Sequence, residues 1–144
     1  LGVDGILTAV CCPNCVGFLQ GPAFNRFTLD GGAEVFPSEL FDGSEQIKCY
    51  VRPEEYKALT ENSFVLGKAP VPLFYGGACD DVNTIGGFAN WVQDWEYTAC
   101  PHCGKPMKYL AQIQWDILMD GTEGTLYIEF CPDCQIVSMQ HQQT

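Results

Sequence analysis

Cys100-Pro101-His102-Cys103-Gly104 and Cys131-Pro132-Asp133-Cys134, with 27 residues between Cys103 and Cys131, decide how this chain is read. Two CxxC pairs at this spacing are what one structural Zn²⁺ needs, because four thiolates close a tetrahedral shell with Zn–S near ~2.3 Å. Each pair comes from one tight turn, and a hairpin between them brings the turns together. Pro after the first cysteine pre-sets each turn. Gly104 tolerates positive φ, which lets backbone N–H groups face sulfur. The sequence therefore assigns Cys100, Cys103, Cys131 and Cys134 to one zinc ion.

The residues around the pairs supply strands. Met107, Tyr109, Ala111, Ile113 and Trp115 alternate with Lys108, Leu110, Gln112 and Gln114, a period of two that predicts a half-buried strand. Asp120-Gly121 and Glu123-Gly124 mark a turn. Leu126, Ile128 and Phe130 alternate with Tyr127 and Glu129 in a second strand that runs into Cys131, and Ile136 to His141 makes a third. The metal would clamp a three-stranded antiparallel unit, zinc-ribbon-like, that has little stability of its own.

Upstream the signals are shorter. Ile6 to Cys11 reads as a strand leading into a third CxxC, Cys12-Pro13-Asn14-Cys15. Phe24 to Leu29, the turn Asp30-Gly31-Gly32 and Ala33 to Phe36 predict a β-hairpin. Pro37 to Phe41 reads as a helical turn and Gln46 to Val51 as a strand. Pro53 to about Glu61 is the clearest helix, with Pro53 at its first position and Glu54 and Glu55 where the helix dipole favours anions. Residues 67–90, rich in Gly and Pro, read as a long irregular connector, with Gly86-Gly87 before Phe88 suggesting positive φ. The expected fold is mainly β (a β-rich α+β chain) with one or two short helices. An N-terminal lobe covers 1–84 and a zinc-binding lobe 85–144, the two forming one compact domain.

Composition bounds the function. Eighteen acidic against seven basic residues give a net charge of −11, and no Lys or Arg follows Lys108. A zinc held by four thiolates would add two negative charges more. Such a surface repels phosphate backbones, so nucleic acid is not an expected partner, although zinc ribbons often bind it. On charge alone the acidity reads as serving solubility, and the functional reading set against it is a basic client protein. No apolar run of about 18 residues is present, so no membrane span is expected. Ile6 to Cys12 is too short for a secretory signal and no Lys or Arg precedes it, and a start at Leu1 points to a piece of a longer protein. Nine cysteines, an odd number, in a chain able to build a core argue against a disulfide scaffold and for reduced or metal-bound thiols in the cytoplasm.

Other constellations compete for a role. Cys-Pro-His-Cys also fits a thiol–disulfide oxidoreductase using Cys100 and Cys103. That chemistry wants the first cysteine at a helix N-terminus, and Gly104 and Pro106 break a helix at once. Cys12, Cys15 and Cys49 are candidates for a second metal site, with Cys11 and Cys79 as further donors; the competing reading is a reduced pair beside buried cysteines. His102 is expected to face solvent and His141 to be inert. Asp80-Asp81 and Asp94/Glu96 match a two-carboxylate hydrolase poorly and read as solvated surface. Trp91 is expected to pack against the strand Met107 to Trp115. Trp91 and Trp95 could otherwise line a protein-binding groove.

Ile85-Gly86-Gly87-Phe88, Trp91-Val92-Gln93, Cys100-Pro101-His102-Cys103-Gly104, Met107, Leu110, Gln112-Ile113, Gly124-Thr125-Leu126-Tyr127 and Cys131-Pro132-Asp133-Cys134 occur in an order that resembles the YwqG-like family of bacterial proteins. It is similar also to their eukaryotic relatives of the programmed-cell-death-protein-2 type. The resemblance covers residues 85–140. It implies a β-rich fold without a known catalytic centre. It further implies a role in binding other proteins, since eukaryotic relatives escort a newly made basic ribosomal protein and some bacterial ones sit near toxin–immunity genes. Gln135 departs from the pattern by standing where a knuckle usually has glycine, which implies a more strained second turn. The expected role is thus a zinc-stabilised, non-enzymatic escort or immunity-type module for a basic client. The alternatives are the oxidoreductase and a structural zinc ribbon of a larger assembly.

Overall fold

The computed structural model describes residues 4–13, 16, 21–36, 52–55, 57, 83–119 and 121–143. Its centre is a six-stranded antiparallel sheet: β1 (Ala23–Phe27), β2 (Ala33–Val35), β3 (Thr84–Ile85), β4 (Lys108–Gln114), β5 (Thr125–Cys131) and β6 (Ile136–Gln142), in the order β2-β1-β6-β5-β4-β3. The expected mainly β fold is what forms. The meander β4-β5-β6 is the three-strand unit read from the sequence, and the β1–β2 hairpin adds to its β6 edge. Thr28 shapes that hairpin, its hydroxyl accepting from the Gly32 amide at 2.9 Å and donating to the Asp30 carboxylate.

Three local readings are corrected. Ile6 makes only a bridge to Asp30, and the residues after it run irregularly rather than as a strand. Thr84–Ile85 pairs with Gln112 and Ala111, so a strand lies inside the stretch read as connector. The simple alternation of β4 is broken, because Tyr109 pairs with Glu129 and Ala111 with Ile128, leaving Leu110 as an extra residue. This bulge reverses the phase of the strand. Ala111 and Ile113 face the apolar side, and Tyr109 joins Gln112 and Gln114 on the other. The ring that Trp91 stacks on belongs to Tyr127 of β5, at 4.4 Å and 28°.

Pro53, Glu54, Glu55 and Lys57 are helical as expected, and the Glu55 carboxylate reaches back to the Arg52 amide at 2.7 Å as a helix-capping contact. The expected turn at 37–41, the strand at 46–51 and the rest of that helix lie outside the described residues.

Each face of the sheet is covered by different chemistry. On one side Phe27, Leu110, Ala111, Leu126, Phe130, Val137 and Met139 form the main core with Val16 and Trp115, and Leu7 and Cys11 pack over it. Asn25, fully buried, pins this cover: its side chain accepts from Val10 N at 3.0 Å and donates to Thr8 O at 2.8 Å. The opposite face carries Gln112, Tyr127, Glu129, Ser138, Gln140 and Gln142, all buried. A buried polar group costs free energy unless it is bonded. Here the partners come from the backbone of residues 90–98, a strap laid across the sheet. Gln112 and Gln142 accept from the amides of Asn90 and Gln93 at 2.7 and 3.1 Å. The Tyr127 hydroxyl accepts from Val92 N at 2.9 Å and donates to Asn90 O at 2.6 Å. Gln142 and Gln140 donate to the carbonyls of Asp94 and Glu96 at 3.1 and 2.5 Å, and Glu129 accepts from Thr98 N at 2.9 Å.

Candidate metal centre

The two CPxC turns meet at one end of the sheet. The first follows the strap and precedes β4: Thr98 O accepts from Met107 N at 2.8 Å, and Ala99 bridges Pro106. The second is the β5–β6 hairpin itself, closed by the pair Cys131 and Ile136. The four sulfurs of Cys100, Cys103, Cys131 and Cys134 all lie within 4.8 Å of one another, with Cys103 and Cys131 at 3.8 Å. A tetrahedral Zn–S shell of about 2.3 Å sets its sulfurs about 3.8 Å apart, a separation that the Cys103–Cys131 pair has and that lies within the spread of the set.

Each turn is built for sulfur. Gly104 N bonds Cys100 O at 2.8 Å, and Cys100 N bonds Lys105 O at 2.9 Å. The Lys105 backbone N–H reaches the Cys103 thiol and lowers its pKa. Cys131 is pushed up by burial, although the Cys134 backbone N–H faces its sulfur, and burial and the neighbouring thiols push Cys134 up to about 12. Four thiolates at this distance need a cation between them, and a bound metal deprotonates its thiols outright. Gly104 takes φ +70° and Gln135, at the same place in the second turn, takes φ +55°. The departure from glycine is thus met by a left-handed glutamine, a conformation costing roughly 1 kcal/mol.

Buried Cys100 and Cys131 rest on Met107 and Ile136, with Phe24 and Phe36 packed alongside. This apolar floor closes the inner side to water. Outside, Lys105 and Asp133 join the two turns at 2.9 Å; both are exposed, so the pair adds little. His102 is exposed as expected, though its Nδ1 lies 3.4 Å from Cys134 Sγ. His141 is more than inert: its Nδ1 accepts from Trp115 Nε1 at 2.7 Å.

The second candidate cluster is not assembled among the described residues. Cys12 begins a helical turn, with Val16 N bonded to Cys12 O at 3.0 Å, and Cys11 packs on the core. Cys15, Cys49 and Cys79 lie outside the described residues, as do Asp80 and Asp81. The Cys100 turn leads into a bridge and then β4, not into a helix. Asp94 and Glu96 present exposed carboxylates while their carbonyls bind Gln142 and Gln140. The residues that sequence reasoning missed are the strap anchors Gln112, Tyr127, Glu129, Gln140 and Gln142. Glu129 is entirely buried with Oε1 unpartnered, and burial raises its pKa.

Over 82 residues, 54% of the chain, the sequence is 35% identical to the uncharacterized protein YpfL of Salmonella typhimurium. The match spans 19% of that protein, so the chain corresponds to about a fifth of this relative's length. No family profile and no solved structure matches the chain.

Proposed function

We propose that this is a zinc-stabilised, non-enzymatic protein-binding module of the cytoplasm. It would be YwqG-like in kind and act as an escort or immunity-type protein for a basic client. The observation that carries the zinc is the closed set of four thiols on two knuckles over an apolar floor. Four sulfur donors suit zinc, and a four-coordinate shell keeps no open position for substrate, which marks structural rather than catalytic sites. The turn after Cys100 lacks the helix that an oxidising CxxC uses. The net charge of −11 supports a basic partner and disfavours nucleic acid. Among the described residues no helix is long and apolar enough to cross a membrane.

Elemental analysis of the purified chain tests the reading, with one zinc per chain expected. Cys131→Ser should lose the metal and melt at lower temperature, because metal affinity in such sites is folding energy. Metal-free protein with reactive Cys100 and Cys103 thiols would overturn it in favour of redox chemistry. A second reading, a structural ribbon within a larger assembly, draws on the chain's match to only 19% of its relative. Partners captured from native-cell extract by this chain alone would favour the binding module.

A further inference from the structure

Among the described residues the two most exposed large hydrophobic side chains lie on or just before the strap. Its inner side is fixed: Trp91 stacks on Tyr127, and Tyr97 meets Trp91 edge-on at 5.4 Å. Side chains from β4, β5 and β6 hold the backbone at Asn90, Val92, Gln93, Asp94, Glu96 and Thr98. Trp95 of the strap is 83% exposed, and Phe88, two residues before the strap, 86%. Large aromatic rings carry 150–250 Å² of surface apiece, roughly, and are the side chains that dominate protein contacts when buried. Neither ring contributes to the core, so the fold itself gives no reason for them.

Charge says what would cover them. Trp95 stands between Asp94 and Glu96, whose carbonyls are engaged by Gln142 and Gln140 and whose carboxylates are exposed. Neither carboxylate meets a cationic side chain among the described residues. No Lys or Arg occurs between Lys68 and Lys105. An indole whose two chain neighbours are exposed acidic residues offers a cation a quadrupole and counter-charges close by in the chain. Arginine fits better than lysine, since its planar guanidinium stacks on the ring while its fork reaches a carboxylate. A strap already held by hydrogen bonds loses little freedom on binding.

We propose that Trp95, with Asp94 and Glu96 next to it in the chain and Phe88 just before the strap, is the docking surface for an arginine-bearing segment of a cationic protein. The proposal rests on the protein-binding reading above and assigns it a place. Attraction steers the approach and weakens with salt, and the rings give the contact its selectivity.

The test uses the full zinc-loaded chain and a fluorescein-labelled 12-residue peptide of alternating Arg and Ser, followed by anisotropy at physiological salt. Lys–Ser and Glu–Ser peptides serve as comparisons. The expected order is Arg tighter than Lys, with no binding of Glu. Trp95→Ala should weaken the Arg peptide at least tenfold without lowering the melting temperature, and Trp95→Tyr should recover most of the loss. Asp94→Asn combined with Glu96→Gln should weaken it as well. Equal binding by wild type and Trp95→Ala would overturn the surface, as would a wild type that ignores the Arg peptide. A partner captured equally from native-cell extract by wild type and Trp95→Ala removes this surface but leaves the protein-binding reading standing. Extract that yields no partner for either removes the reading itself.

Discussion

Replacing Tyr127 by Phe isolates one atom of the strap's anchorage. The ring stays, with its stack on Trp91 at 4.4 Å, and only the hydroxyl goes. That hydroxyl accepts from Val92 N at 2.9 Å and donates to Asn90 O at 2.6 Å. Burial pushes its pKa up, so it remains a neutral donor over the working pH range. A hydrogen bond contributes about 1 kcal/mol net, and an orphaned partner costs about 1–3 kcal/mol when water cannot replace it. Val92 and Asn90 are partly exposed, so water recovers some of this, and the expected loss is about 2 kcal/mol. At roughly 2 cal/mol/K per residue of unfolding entropy, a chain of this length should melt about 7 °C lower. If the strap opens locally instead, exchange of the Val92 amide should speed up about 30-fold, since 1.4 kcal/mol is tenfold. Both are read on zinc-loaded protein, by thermal unfolding and by hydrogen exchange. A melting point within 1 °C or so of wild type together with unchanged Val92 exchange would refute the strap as a hydrogen-bonded layer.

Gln135→Gly relieves the left-handed φ of +55° but loosens the unfolded chain, so it should leave stability unchanged or raise it by up to about 1 kcal/mol, read as a urea midpoint. Gly124→Ala should destabilise clearly, because φ is +104° and the added Cβ would stand 2.2 Å from His141 Cε1 and 2.8 Å from Gln142 O; wild-type melting would show the clash to be absent. His141 accepts from Trp115 and must be neutral at Nδ1 to do so, and burial lowers its pKa below 6.5. Its contribution is therefore whole above about pH 6.5 and lost as pH falls through the lower folded pKa. Wild type should lose stability between pH 7 and 5 faster than His141→Gln, and parallel curves would contradict this.

The cluster of four cysteines was legible because ligation is a short-range demand: CPxC, twice, with a hairpin between. The antiparallel meander was legible because period two is visible in Leu126 to Phe130. The polar face was not. Gln112, Tyr127, Glu129, Gln140 and Gln142 read as the solvent side of half-buried strands, since alternation tells which residues share a face and not what covers it. Their cover, Asn90 to Thr98, holds these side chains through its backbone, and of its own side chains Trp91 is the one that stacks on this face. The bulge at Leu110 is equally silent, as either phase of β4 offers apolar residues. Thr84–Ile85 is too short to show any period.

The strap and the metal centre are mechanically one device. The strap ends at Thr98, whose amide is held by Glu129 and whose carbonyl is held by Met107, and Cys100 follows two residues later. Glu129 lies two residues before Cys131 on β5, so each end of this link leads directly to a sulfur of the cluster. A carboxylate buried this deeply is tolerable only where its partner is kept in place, because a lost partner leaves an orphaned charge or a proton to be taken up. A metal on the four thiols would supply that fixity, tying Cys100, two residues after the strap, to Cys131 of β5. Metal at the four thiols would therefore stabilise more than the hairpin that carries two of them. It would also set the register of the strap on the polar face, and with it the positions at which Phe88 and Trp95 meet solvent. A metal bound there would then also order the segment that bears Trp95.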